Sequence, residues 1–285
     1  MLALSLAVLL AAAPAQPAAP LAADAGPHAL QFQPALDLSL TGAALGLWLS
    51  SELLKPQLHP ERCRWCDRGP NGEDALNGFD RLGYDHLVWR DNVKAAGRLS
   101  DIIAYGVIPL SALGAMSAMA VGTGHPGNMP GDVLIVAQAT ALSALANQTV
   151  KFIAGRQRPY AYRAVDHPEV EFVHSHDDNM SFYSGHANLA FALVTSLGTM
   201  AELREYPYRG FIWAVGLPLA ASVAYLRMGA DKHYLSDVLV GAALGSAFGV
   251  AIPLLLHPRQ EQRLDPAGRM QMSMSPAGVT FSGVF

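Results

Sequence analysis

Residues 227–257 read RMGADKHYLSDVLVGAALGSAFGVAIPLLLH, and two features of that stretch decide the fold. From Val238 to Leu256 there is no charged side chain, and the run is bounded by Asp237 and His257. A helix needs about 20 apolar residues to cross a bilayer, and this run comes close to that. Gly and Ala recur within it, as helices that approach closely in lipid require. Immediately ahead of it stand Arg227, His233 and Asp237, so a membrane-type helix carries reactive side chains at its start.

Working outward, residues 102–124, 133–150, 187–201 and 210–226 form four further apolar, uncharged runs. A sixth, 38–51, lies between Asp37 and Glu52 and is shorter, which predicts a packed or interfacial helix rather than a full crossing. The whole chain of 285 residues is 51% hydrophobic and 15% charged, against roughly a quarter charged in soluble domains. These features predict an all-α fold, a multi-helix membrane bundle of five to six helices. The alternative is a soluble bundle whose helices are buried on every side. A formal net charge of −4 offers no basic face for nucleic acid.

The remaining segments sort by composition. The apolar stretch from Leu2 to Ala13, followed by Ala13-Pro14-Ala15, predicts a signal peptide over 1–15, then a flexible N-terminus over 16–35. A retained anchor is the alternative, for which the stretch is short. Residues 36–99 are expected to hold an N-terminal helix and a small extramembrane insert, 100–257 the helical core, and 258–285 a tail. Alternation around Ser275-Pro276-Ala277-Gly278 predicts a short C-terminal β-hairpin. Within HPERCRWCDRG, Cys63 and Cys66 read as a local disulfide of an exported protein or as two free thiols. A redox pair, or half a zinc site with His59, is the sharper option, but there is no second C-x-x-C and no βαβ pattern.

Three polar clusters fall at ends of the apolar runs. Lys151, Arg156 and Arg158 crowd together before Pro159. Such cations suit an anion with phosphate geometry, although basic residues also snorkel at membrane edges. Ser184-Gly185-His186 precedes the 187–201 run, where a capping serine and free N–H groups favour an anion and the histidine can supply a proton. His233 and Asp237 are four apart, so on a helical turn they share a face. The carboxylate can then hold one ring nitrogen and leave the other free as a base or nucleophile. A capping pair, or two metal ligands, is the competing interpretation of that spacing.

Together the three clusters resemble the type 2 phosphatidic acid phosphatase superfamily, whose signature is K-x6-R-P, then P-S-G-H, then S-R-x5-H-x3-D. Lys151 with Arg158-Pro159, Ser184-Gly185-His186, and Arg227, His233 and Asp237 fit it. Tyr183 replaces the usual Pro and Leu226 the usual Ser, neither of them catalytic in the family. The resemblance covers about residues 100–256. It implies that Lys151, Arg158 and Arg227 grip the phosphoryl oxygens with help from Ser184 and the Gly185 N–H. It further implies that His233, oriented by Asp237, attacks phosphorus to give a phosphohistidine, and that His186 protonates the leaving group. No cofactor and no metal enter this scheme. Arg156, outside the motif, is expected at the entrance, and His174, His176, Asp177 and Asp178 in a solvated loop, with metal binding by those four as the alternative.

The expected partners are the bilayer and a phosphorylated lipid, either a monoester or a pyrophosphate, with no nucleic acid. The expected location is a bacterial-type inner membrane with the site facing the periplasm. That orientation assumes a cleaved signal and a 38–51 segment that does not cross. A crossing 38–51 segment inverts it, unless the signal is itself retained. A soluble periplasmic acid phosphatase, a vanadium haloperoxidase and a non-catalytic phosphate-binding membrane protein are the competing functions.

Overall fold

The apolar runs fold as helices longer than the runs themselves, because flanking polar residues continue the turns. The computed structural model describes residues 28–69, 71–166 and 174–260, and the backbone of Gln271–Ser275 and Gly278–Ser282. The expected signal peptide and most of the 16–35 segment lie outside the described residues.

Helix α1 spans Pro34–Leu53, 20 residues, or about 30 Å at 1.5 Å per residue. It is longer than the 38–51 run, yet it is not among the helices long and apolar enough to cross a membrane. Pro34 opens its first turn, and the Asp37 carboxylate accepts the Gln33 N–H at 2.8 Å, adding a turn that the apolar count leaves out. A short α2 (Lys55–Leu58) and α3 (Gly78–His86, capped by Asn77) follow in the insert. Helix α4 (Val93–Ile102) passes through a π-helical turn, Ile103–Val107, straight into α5 (Ile108–Gly122). The division drawn between residues 99 and 100 therefore falls inside one continuous helix.

Helix α6 (Met129–Ala154) stops at Gly155, whose φ of 56° is left-handed, and Pro159 opens α7 (Pro159–Asp166). Helices α8 (Gly185–Leu203), α9 (Arg209–Gly229) and α10 (Leu235–Leu256) complete the bundle. Strands β1 (Gln271–Ser275) and β2 (Gly278–Ser282) pair antiparallel, Gln271 opposite Ser282.

Helix α8 runs through the middle. Its residues Ala190, Val194, Leu197 and Met200 are buried against Ile108, Met116, Ile135 and Val223 of neighbouring helices. Helix α10 lies directly on it, since a Cβ at Gly241 would sit 2.7 Å from the Ser184 carbonyl oxygen. At Gly245 and Gly249 it would overlap the Asn188 carbonyl oxygen and Thr195 Oγ1. The runs Val93–Gly122, Pro126–Ala154, Arg209–Gly229 and Leu235–Leu256 are long and apolar enough to cross a membrane. Side chains such as Leu47, Leu110, Val121 and Phe211 are exposed on the perimeter.

Helix ends gather at two poles. At one, the end of α6 meets the start of α8, where Lys151 Nζ faces Gly185, and the Ser184 N–H donates to the Asp237 carbonyl at 3.0 Å. At the other, Gln31 N–H donates to Pro258 O, His257 meets Gln138, and Arg204 meets Asp132.

Candidate active site

The first pole holds all three sequence clusters. Lys151 comes from the last turn of α6, Arg158 from the link to α7, Ser184, Gly185 and His186 from the start of α8, Arg227 from the end of α9, and His233 and Asp237 from the entry to α10.

His233 is 2% exposed. Its Nδ1 lies 2.9 Å from the Ser181 carbonyl oxygen and 3.7 Å from Asp237 Oδ2. Nδ1 carries the proton toward the carbonyl, which leaves Nε2 with the lone pair. The expected direct hold by Asp237 is thus corrected, because α10 begins only at Leu235 and Tyr234 is extended, with ψ 166°. The four-residue spacing does not lie on a helical face there. Asp237 Oδ2 instead accepts the Tyr234 N–H at 3.0 Å and the Ser181 hydroxyl at 2.5 Å, and Oδ1 accepts Arg156 at 2.8 Å. The carboxylate reaches His233 through Ser181. Burial, joined by the positive charges of Arg158, Arg227 and Lys151, pushes the His233 imidazolium well below its usual range, so the ring is neutral.

His186 is held by a residue that the motifs do not include. Its Nε2 lies 2.8 Å from Asp101 Oδ1 on α4, and Tyr105 packs edge-on against its ring at 4.8 Å. Arg227 donates to Ser100 Oγ at 3.1 Å and lies 3.4 Å from Asp101, while its buried Nε has no partner among the described residues. Lys151 is 9% exposed, and its ammonium likewise has no hydrogen-bond or ion-pair partner among the described residues. A Cβ on Gly185 would stand 3.2 Å from Lys151 Nζ and 3.0 Å from Asn147 Oδ1, so a side chain there would crowd the lysine. Ser184 caps α8 and accepts the Ala187 N–H.

Arg158 donates Nε–H to the Asp177 carbonyl at 2.8 Å, and the Asp177 carboxylate stands 3.7 Å from it and 3.4 Å from Lys55. Burial disfavours that carboxylate, but Arg158, Lys55 and Lys151 outweigh it and hold Asp177 ionised. His174 is largely exposed, while Asp178 is bonded to Tyr160 and Ser175. No three His, Cys, Asp or Glu side chains group as a metal site among the described residues. A cleft of about 930 Å³ opens on the rim beside this pocket rather than over His233, lined by His59, Gln157, His176 and Asn179.

Arg156 is not at the entrance, where the sequence reading puts it. It is fully buried and donates to Asp67 at 3.0 Å, Asp80 at 2.7 Å, Asp237 at 2.8 Å and Ser236 at 2.8 Å. Cys63 and Cys66 are joined as a disulfide in the same insert.

Residues 132–261 match the PAP2 superfamily family model, a span that contains every motif residue from Lys151 to Asp237 and excludes Asp101. Among solved structures, a transmembrane PAP2-type phosphatidylglycerolphosphate phosphatase from Bacillus subtilis is similar to this chain at 15% identity. That match covers 79% of this chain and 98% of that chain, with a TM-score of 0.46.

Proposed function

We propose that this chain, whose residues 132–261 belong to the PAP2 superfamily, is a membrane phosphatase acting on a lipid phosphate monoester or pyrophosphate. The observation that carries the reading is the surplus of buried positive charge around the free nitrogen of a neutral histidine. Lys151 and Arg227 Nε are buried without partners among the described residues, and such groups cost free energy unless an anion completes them.

In the proposed reaction, His233 Nε2 attacks phosphorus. The P–N bond forms as the P–O bond to the leaving oxygen breaks, and His186 gives that oxygen its proton. Water then attacks the phosphohistidine, passes a proton to His186, and phosphate leaves as the P–N bond breaks. Lys151, Arg158, Arg227 and the N–H groups at Gly185 stabilise the charge on the equatorial oxygens in both steps. Asp237 positions His233 through Ser181, and Asp101 holds His186. The apolar perimeter suits a substrate whose tail stays in lipid while its headgroup reaches the helix ends. Phosphate release from a panel of purified lipid phosphates tests this. His233→Ala is expected to reduce turnover by more than about 10³-fold with the fold intact, and unchanged turnover would sink the assignment.

The proposed orientation places the His233 pole outside the cytoplasm. The Cys63–Cys66 disulfide supports it, since it lies at that pole and disulfides persist in oxidising compartments. A fluorescent protein fused after Gln260 is expected to fold and fluoresce, and a dark fusion with active periplasmic alkaline phosphatase at the same point would reverse the orientation.

A further inference from the structure

The insert between α1 and α4 supplies carboxylates to a buried arginine that touches the nucleophile's own support. Arg156 is 0% exposed, and its guanidinium carbon lies over the rings of Trp65 and Tyr234, at 4.1 Å and 4.2 Å from their centroids. Around its edge it meets the carboxylates of Asp67 and Asp80 from the insert and Asp237 from α10, together with Ser236 Oγ. Asp80 is itself fixed twice, accepting the Ser236 N–H at 2.7 Å and the Ser236 hydroxyl at 2.9 Å. On the other side, Trp65 forms a backbone bridge with Arg156, and the Arg156 carbonyl accepts the Ser181 N–H at 2.9 Å. Arg156 therefore grips both routes to His233: the Asp237 carboxylate, and the Ser181 backbone whose carbonyl takes the His233 proton.

We infer that Arg156, clamped by Asp67 and Asp80, is a positioning residue for the His233 nucleophile, and that residues 63–80 serve as a fixed bracket for it. The inference rests on the proposed phosphatase reading and adds a group outside the phosphate cradle. A planar fork meets several carboxylates at once, which a lysine's single ammonium cannot do. Burial works against the arginine's charge, and the three carboxylates more than offset it, so the guanidinium stays protonated. Asp80 likewise stays ionised despite burial because Arg156 and the Ser236 N–H hold it.

The test compares full-length wild type, Arg156→Lys and Asp80→Asn in detergent, with kcat and KM on a lipid phosphate, and inhibition by inorganic vanadate as a probe of the cradle. Expected is a fall in kcat of about 10- to 100-fold, the size found when groups that orient a ligand are removed, with KM and vanadate inhibition unchanged. A merely structural role would lower the yield of folded protein while leaving kcat per folded molecule intact, and that outcome overturns the inference. Equal losses in KM and vanadate affinity overturn it too, since they would place Arg156 in the cradle. If Arg156→Lys does not fold, Asp67→Asn, which removes one acceptor at the insert edge, is read in the same way. A wild type that releases no phosphate would defeat the phosphatase reading and this inference together. An active wild type with unaltered variants would defeat the inference alone.

Discussion

The two poles of the bundle use the same residue types to opposite ends. At the pole opposite His233, Asp132 accepts Arg204 Nε at 2.9 Å and the Tyr206 hydroxyl at 2.7 Å, and His257 Nε2 meets Gln138 at 2.8 Å. The buried Asp132 and Arg204 there neutralise one another within the protein. At the His233 pole the sets do not close: Lys151 lacks a partner among the described residues, Arg227 keeps a bare Nε, and Arg158 rests on a loop carbonyl. Even within that pole, Arg156 and Arg158 divide along this line, one ringed by three buried carboxylates and the other met only by the half-exposed Asp177 at 3.7 Å. Closed sets hold helices in place, whereas open sets bind something from outside.

That contrast can be broken by experiment. Asp132→Ala strands Arg204 in the interior and is expected to cost about 3–5 kcal/mol of stability, read by thermal unfolding in detergent, with kcat of the folded fraction unchanged. Lost activity without lost stability would erase the distinction between the poles. Lys151→Met should do the reverse. Removing one of the cations proposed to stabilise the transition state is expected to cost about 10²- to 10³-fold in kcat, while the melting temperature holds or rises because an unpaired buried charge is gone.

The smallest expected effect lies in pH dependence. In the proposed reaction the attacking form of His233 is neutral, and its folded pKa is depressed, so the acid limb of kcat/KM should lie below the ordinary histidine value of about 6.5. In Lys151→Met, with one of the repelling charges removed, the limb should move up toward neutrality. The same depression weakens the fold as pH drops below about 6.5, where the unfolded imidazole takes a proton that the buried one refuses. A pH–rate profile that does not shift in Lys151→Met would detach that lysine from the nucleophile.

Much of the candidate site was legible in the sequence, because the motif residues that converge on one pole need only local spacing to be recognised: Lys151 to Pro159, Ser184 to His186, Arg227 to Asp237. What escaped depends on distant partners. Asp101 stands at the edge of an apolar run and gains meaning only when α4, packed on α9, brings it to His186 at the start of α8, 85 residues away in sequence. Ser181 acts through its main-chain carbonyl, which no side-chain type announces. Arg156 looked like a third rim cation, and only folding brings Asp67 and Asp80 to it. The helices themselves were readable from their apolar cores, but not their ends: α1 and α4 are extended by proline, capping and amphipathic turns that a hydropathy count passes over.

The glycines of α10 set a limit of another kind. With Gly241, Gly245 and Gly249 seated against the backbone of α8, the two helices cannot slide past one another, and the turns that begin them, with His186 and His233, share one fixed gauge. Substrate choice is then left to the rim, where α2 and the 174–179 loop can change sequence without retuning the spacing of the two helix starts. Such a division lets one reaction be inherited unchanged while its range of headgroups and tails drifts from descendant to descendant.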